Sequence, residues 1–318
     1  MEQTARIALV LGATGGIGGE MARQLAARGW HVRALQRNPD ALVDRNEAFE
    51  WIRGDALKRE EVVKAAQGAA LIVHGVNPPN YQNWAALVLP MIDNSIAAAR
   101  ASGARIILPG TVYNFAPETF PVLRENTVQQ PLTRKGKIRV ELEQRLQAAS
   151  EDGVRSLIVR AGDFFGPHTG NNWFAGSLVK PGKKVRTLTH PGKRGIGHQW
   201  AYLPDVAETM LRLAEQDERL PAFAVYHMLG HWDADGTQMA ASIGRALGHP
   251  VKTRAFPWWL MPMLAPFSEM LRETLEMRYL WQHPVCMDNT KLVQMLGSEP
   301  HTPWDEAVGK TLHDLRCH

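Results

Sequence analysis

Apolar and polar positions follow two alternating rhythms over the first half of the chain. Short, dense apolar runs at 7–11, 31–35, 49–52, 69–73, 105–108 and 155–160 read as strands. Between them, positions 17–27, 58–66, 84–101 and 133–149 repeat their apolar residues at helical spacing. Arg28-Gly29 and Ser102-Gly103 supply the glycine stops that end such helices. Strand and helix in strict turn predict an α/β fold, a Rossmann-type doubly wound parallel sheet. Beyond Phe164 the rhythm gives way to Gly/Pro turns and a Trp- and Met-rich final third. That break predicts a dinucleotide-binding domain over 1–165, rejoined by a segment at about 197–230, and a smaller, mostly helical substrate-binding lobe over 166–318.

Composition narrows the class. The 318 residues are 45% hydrophobic and 21% charged, as in an ordinary globular protein. Lys and Arg total 36 against 32 acids, a net charge of +4 spread along the chain. With no basic stripe interleaved with aromatics, a nucleic-acid partner is not expected. Cys286 and Cys317 are far apart and outside any CxxC pattern, which argues against a disulfide scaffold and fits a reducing compartment. Among the 12 histidines only His227 and His231 stand at HxxxH spacing, and no metal site is expected. No run reaches the roughly 20 apolar residues of a membrane span; the nearest, 256–267, carries three prolines. A cytoplasmic protein with a small-molecule substrate, as monomer or homodimer, is the expectation.

Leu11-Gly12-Ala13-Thr14-Gly15-Gly16-Ile17-Gly18 lies directly between the first strand and the first helix. Gly12 permits a tight turn, Gly15 lets backbone approach a pyrophosphate, and Gly18 lets the helix pack close to the sheet. The helix start offers N–H groups and a partial positive charge to phosphate. Gly12, Thr14, Gly15, Gly16, Ile17 and Gly18 are therefore the candidate phosphate-binding residues. At the end of the second strand an acid usually bonds the ribose hydroxyls of NAD; here neutral Gln36 stands there, followed by Arg37. A guanidinium can fork onto a 2′-phosphate, so NADP(H) is expected in preference to NAD(H).

These features resemble the extended branch of the short-chain dehydrogenase/reductases, the NAD-dependent epimerases and dehydratases, over nearly the whole chain. Gly54-Asp55-Ala56-Leu57 resembles the family's third-strand turn, and His74-Gly75-Val76 its fourth-strand end. Arg160-Ala161-Gly162-Asp163-Phe164-Phe165-Gly166-Pro167 is similar to R-x-x-N-x-Y-G-P, with Asp for Asn and Phe for Tyr. Tyr202-Leu203-Pro204-Asp205-Val206-Ala207 resembles V-x-D-V-A, and Asp288 to Lys291 with Leu296-Gly297 and Pro300 resembles the C-terminal D-x-S-K…LG-x-x-P. The resemblance implies that Asp55, Ala56, Gly75 and Val76 line the cofactor.

It also implies a Tyr-x-x-x-Lys pair on a helix, the lysine charge favouring the phenolate as acid/base. Aligning 131–141 with that motif puts Lys137 at the lysine and Thr133 at the tyrosine. The segment resembling S-S-x-x-V-Y places Pro109 at the usual serine and leaves Thr111 and Tyr113 nearby. The expected catalytic set is thus Thr111, Tyr113, Thr133 and Lys137, with Lys137 also on the nicotinamide ribose. Three readings of the missing phenol stand open. Another hydroxyl (Tyr113, Tyr81 or Tyr202) takes over; the substrate needs no protein proton donor; or the protein binds NADP(H) without turnover, as NmrA-like regulators do. Asn77, Asp163, Phe165, Asn171, Asn172, His198 and Tyr202 are the expected substrate-facing residues. The apolar stretch 257–281 reads first as core, then as lid, substrate wall or subunit contact. The expected function is an NADP(H)-dependent oxidoreductase or epimerase-like enzyme, with the non-catalytic binder as alternative.

Overall fold

The computed structural model describes residues 6–42, 48–78, 84–170 and 172–317, with backbone alone at 269 and 270. β1 (Ile7–Leu11), β2 (His31–Gln36), β3 (Glu50–Arg53), β4 (Ala69–His74) and β5 (Arg105–Gly110) follow one another as strands of a parallel sheet. After the two-residue β6 (Val122–Leu123), β7 (Arg155–Arg160) extends the sheet beyond β5. The helices of this half are α1 (Gly16–Ala27), α2 (Arg59–Ala65), α3 (Trp84–Ser102) and α4 (Arg134–Glu151). Each lies within two residues of its expected bounds.

Side-chain alternation explains the layers. In β1, Ala8 and Val10 enter one core with Met21, Leu25 and Val206, while Leu9 and Leu11 enter the other with Val62, Ile92 and Leu142. In β7, Leu157 and Val159 face the first core and Ile158 the second. Helices cover both faces, which is why these strands are almost continuously apolar rather than alternating with polar residues. Burying each such Leu, Ile or Val contributes about 1.5–3 kcal/mol.

The chain then builds a lobe. β8 (Asp163–Phe165), β10 (His198–Tyr202) and, across a turn, β12 (His231–Asp233) form a mixed three-stranded sheet. β9 (Thr187–His190) pairs with β13 (Lys252–Ala255). Between these, α5 (Leu203–Ala214) packs on α1, and β11 (Phe223–His227) completes the main sheet in the order β3-β2-β1-β4-β5-β7-β11. α6 (Gln238–Leu247), α7 (Met261–Leu264), α8 (Glu269–Glu276), β14 (Cys286–Met287, paired with β6), α9 (Thr290–Leu296) and α10 (Trp304–Asp314) finish the chain. The lobe has its own core, with Phe165, Phe174, Trp200, Tyr202, Ile243, Trp281 and Val308 at its centre. Among the described residues no helix is long and apolar enough to cross a membrane.

Candidate functional site

Strand order reverses at β1 and β4, the point where open α/β sheets hold their ligands. Three glycines make the crevice there by meeting backbone to backbone. Gly12 sits at φ +86°, and a Cβ on it would lie 2.6 Å from Gly75 O. A Cβ on Gly18 would lie 2.3 Å from Gly12 O, and one on Gly75 3.0 Å from both Gly18 Cα and Leu11 O. No side chain fits at these positions, and Gly15 caps α1 with no side-chain hydrogen bond, leaving the first-turn amides for a ligand. Thr14 and Gly15 lie exposed at the lip. The facing wall is the loop after β8: Thr169 Cα lies 3.4 Å from the Cβ position of Gly16. Asn172 shapes that loop, its Oδ1 accepting from Ala175 N at 2.8 Å and its Nδ2 donating to Gly170 O at 2.7 Å. This glycine cradle, walled but not filled, fits the diphosphate of a dinucleotide.

At the end of β2, Gln36 Oε1 accepts from Arg37 N at 2.7 Å, and the Arg37 side chain is exposed. It has no hydrogen bond or ion pair among the described residues. Arg53, opposite Gln36 on β3, donates to Arg37 O at 3.3 Å and pairs with Asp40. Asp55 Oδ1 accepts from Leu57 N, and Ala56 O from Asn94 Nδ2, so this turn is held rigid where an adenine would lie.

The two residues aligned with the Tyr-x-x-x-Lys motif differ in exposure. Thr133 is buried and caps α4, its Oγ1 accepting from Gly136 N at 3.0 Å, so that hydroxyl serves the helix. Lys137 is on the exposed side, in a depression shared with Tyr279 and Gln282. The buried face of α4 instead carries Lys135, Arg139 and Glu143 at four-residue intervals. Arg139 donates to Asn77 Oδ1 at 2.8 Å, just past the end of β4, and its guanidinium lies 5.1 Å from the Trp84 ring centroid. Lys135 lies 5.3 Å from the same ring and 3.0 Å from Glu273 of α8. Burial and the Arg139 charge push His74 down to about 3, so it stays neutral beside Ser95. The apolar phase of α4 carried this signal: Leu142, Leu146 and Ala149, stepped back by three and then four residues, lead to 139 and 135.

Thr111 keeps its expected place at the end of β5, but its hydroxyl donates to Asn114 Oδ1 at 3.0 Å. Asn114 Nδ2 donates to Gln129, Gln129 to Glu143, and Glu143 takes both guanidinium nitrogens of Arg160 at 2.9 Å. Arg160 returns a hydrogen bond to Thr111 O. This closed network fixes the floor of the site. Tyr113 packs its ring into the cluster of Phe115, Leu123 and Met277.

Two expected substrate residues are core instead. Phe165 is fully buried between Phe174 and Trp200, and Tyr202 is 3% exposed, burial raising its phenol well above the usual range. Neither can touch a substrate in this structure. Asp163 and His198 do come together, Oδ2 to Nε2 at 2.8 Å. Asn171 and Tyr81 lie outside the described residues. The segment 257–281 is split: Met261, Met277, Leu280 and Trp281 are buried, while Trp259, Met263 and Phe267 are largely exposed. Asp205, His231 and His301 place donor atoms within 4.8 Å of one another. Thr302 already occupies that group through both Asp205 oxygens and His231 Nε2, closing the C-terminal segment onto α5.

Fold and cradle together define a nucleotide-binding Rossmann protein of the extended short-chain dehydrogenase/reductase architecture. Comparison bears this out: residues 12–172 match the model of the NAD(P)H-binding family, and the chain belongs to that family. A curated relative, the 3-diazoavenalumate denitrifying reductase of a Streptomyces species, is 33% identical over 272 residues, covering 80% of this chain and 86% of its own. Among solved structures, an epimerase-like protein of Burkholderia cenocepacia superposes with a TM-score of 0.76 at 18% identity, over 99% of both chains. The UDP-glucuronic acid 4-epimerase of Bacillus cereus, in complex with NAD, gives 0.71 at 15% identity, over 98% of this chain and 96% of its own. At such identities these two show the shared fold.

Proposed function

We propose that this protein is an NADP(H)-dependent reductase whose acceptor needs no phenolic proton donor. The observation that carries the reading is the α4 face: the resemblance calls for a tyrosine and a lysine there, and its buried positions hold Lys135 and Arg139, with Arg139 reaching Asn77 just past β4. The Gly12–Gly18–Gly75 cradle would hold the diphosphate, Arg37 the 2′-phosphate and Asp55 the adenine end. Arg139, anchored on Asn77, would fix the nicotinamide side of the crevice, and Lys135 would present a positive charge to an anionic or carbonyl group. When bound, the nicotinamide would supply a hydride, and replacing the N2 of a diazonium group by hydride requires no proton from the protein. The name of the Streptomyces relative describes such a removal of nitrogen from a diazo compound. Binding and orientation alone can then carry much of the rate. Both cysteines are unpaired, which fits a reducing cytoplasm.

The test is NADPH oxidation against a panel of aryl diazonium and carbonyl compounds. Wild-type protein is expected to turn over at least one acceptor class. Lys135→Met is expected to lower turnover tenfold or more while NADPH affinity holds within threefold. Tight NADPH binding with no turnover of any acceptor would instead favour the second reading, a non-catalytic binder. The lack of a phenol on α4 also supports that alternative.

A further inference from the structure

The lobe holds a cluster of buried polar nitrogens that nothing among the described residues satisfies. Trp200 Nε1, Trp281 Nε1, His190 Nε2 and His198 Nδ1 have no hydrogen-bond partner there, and these residues are at most 5% exposed. All four belong to one group of touching rings. Trp281 stacks on His198 at 3.7 Å between centroids and 11° between planes, with Trp200 at 5.7 Å and His190 at 5.9 Å. A buried polar atom left unmet is costly, so a fold that gathers four in one place implies an occupant.

The chemistry of the four identifies it. The indole nitrogens can only donate. His190 Nδ1 lies 3.1 Å from Gly192 N and 3.2 Å from Gly192 O, so either ring nitrogen can carry the proton, and burial holds this imidazole below its ordinary value. His198 Nε2 is tied to the Asp163 carboxylate, which leaves its Nδ1 unmet among the described residues. Two indole donors, with two imidazole nitrogens beside them, call for an acceptor-rich group. A water offers two lone pairs; a carboxylate offers about four. The surroundings select a flat, apolar body. Trp173 touches Trp281 at 5.2 Å and Trp258 at 6.0 Å, and Phe256 and Trp258 are half-exposed, so an aromatic wall runs from the surface to the nitrogens. Arg278 lies over Trp258 at 5.7 Å, a cation at the entrance for an incoming anion.

We infer that this cluster is the carboxylate-binding end of a site for planar aromatic acids, with Trp200 and Trp281 as its donors and His190 and His198 beside them. The inference rests on the reading of residues 166–318 as the substrate lobe. Binding separates the Trp281–His198 stack and seats the carboxylate among the ring nitrogens, while the ring of the acid lies along Trp173.

The probe is trans-cinnamate, titrated into 15N-labelled full-length protein with and without NADPH, and followed through the indole N–H signals. Those of Trp200 and Trp281 are expected to shift and saturate. Cinnamyl alcohol, with the same ring and no carboxylate, is expected to bind at least tenfold more weakly. Trp281→Phe, which keeps a ring and removes the donor, is expected to weaken cinnamate tenfold or more with NADPH affinity unchanged. The inference is overturned if neither signal responds, if the alcohol binds as well as the acid, or if Trp281→Phe leaves cinnamate affinity intact; the nitrogens would then be met by water. NADPH affinity, measured in the same samples, reports separately on the cofactor reading, so either can fail alone.

Discussion

Arg37 is the residue on which the proposed preference for NADP(H) turns. Its guanidinium is exposed beside Gln36, no acid occupies the end of β2, and the nearby Asp40 is neutralised by Arg53. Arg37→Asp is expected to lower NADPH affinity at least tenfold and leave NADH affinity level or higher, so that the preference reverses in paired fluorescence titrations. An unchanged ratio would place the 2′-phosphate elsewhere. The glycine turn was legible in the sequence because its geometry depends on its neighbours in the chain. The face of α4 was less so. Thr133 and Lys137 fit the motif spacing, yet Thr133 serves the helix cap and Lys137 is exposed, while Lys135 and Arg139, two residues on, hold the buried face. A shift of two positions turns a helix by about 200°, enough to exchange its inner and outer faces.

Among the elements, α4 matters most, since it brings Lys135 and Arg139 to the site and is locked by the Glu143–Arg160 pair. Both residues are at least 95% buried, and each oxygen of Glu143 takes one guanidinium nitrogen. Glu143→Ala would strand a buried arginine and is expected to destabilise the protein by about 3–5 kcal/mol in urea unfolding. A loss under 1 kcal/mol would show that the network is dispensable. The strands of the main sheet were readable because both of their faces are buried, giving unbroken apolar runs. β10 was not: His198-Gln199-Trp200-Ala201-Tyr202 is wholly buried too, but its polar residues are satisfied or held by tertiary partners such as Asp163, Met228 and Met287. The segment 257–281 shows the same limit, since its apolar content does not tell the inner Trp281 from the outer Trp259 and Phe267.

For the whole molecule, burial of neutral histidines ties stability to pH. His74 and His227 are lowered to about 3 and His231 to about 4, chiefly by desolvation. Unfolded, these imidazoles would take up protons near pH 6.5. Below that value the unfolded chain binds protons that the folded protein refuses, so stability is complete above about pH 7 and is lost as pH falls toward 3–4. Each histidine contributes a slope of about 1.4 kcal/mol per pH unit in that window. The melting temperature is therefore expected to fall steadily from pH 6.5 to 4.5; a flat profile would mean that the three are charged or exposed in solution. The direct test of the account is equilibrium titration of NADPH into the wild type and Gly18→Ala at near-physiological salt. Saturable one-to-one binding by the wild type, weakened at least a hundredfold in a variant that still folds, is the predicted result, because the added Cβ would collide with Gly12 O. A wild type that binds neither NADPH nor NADH, or a folded variant that binds as well as the parent, would contradict it.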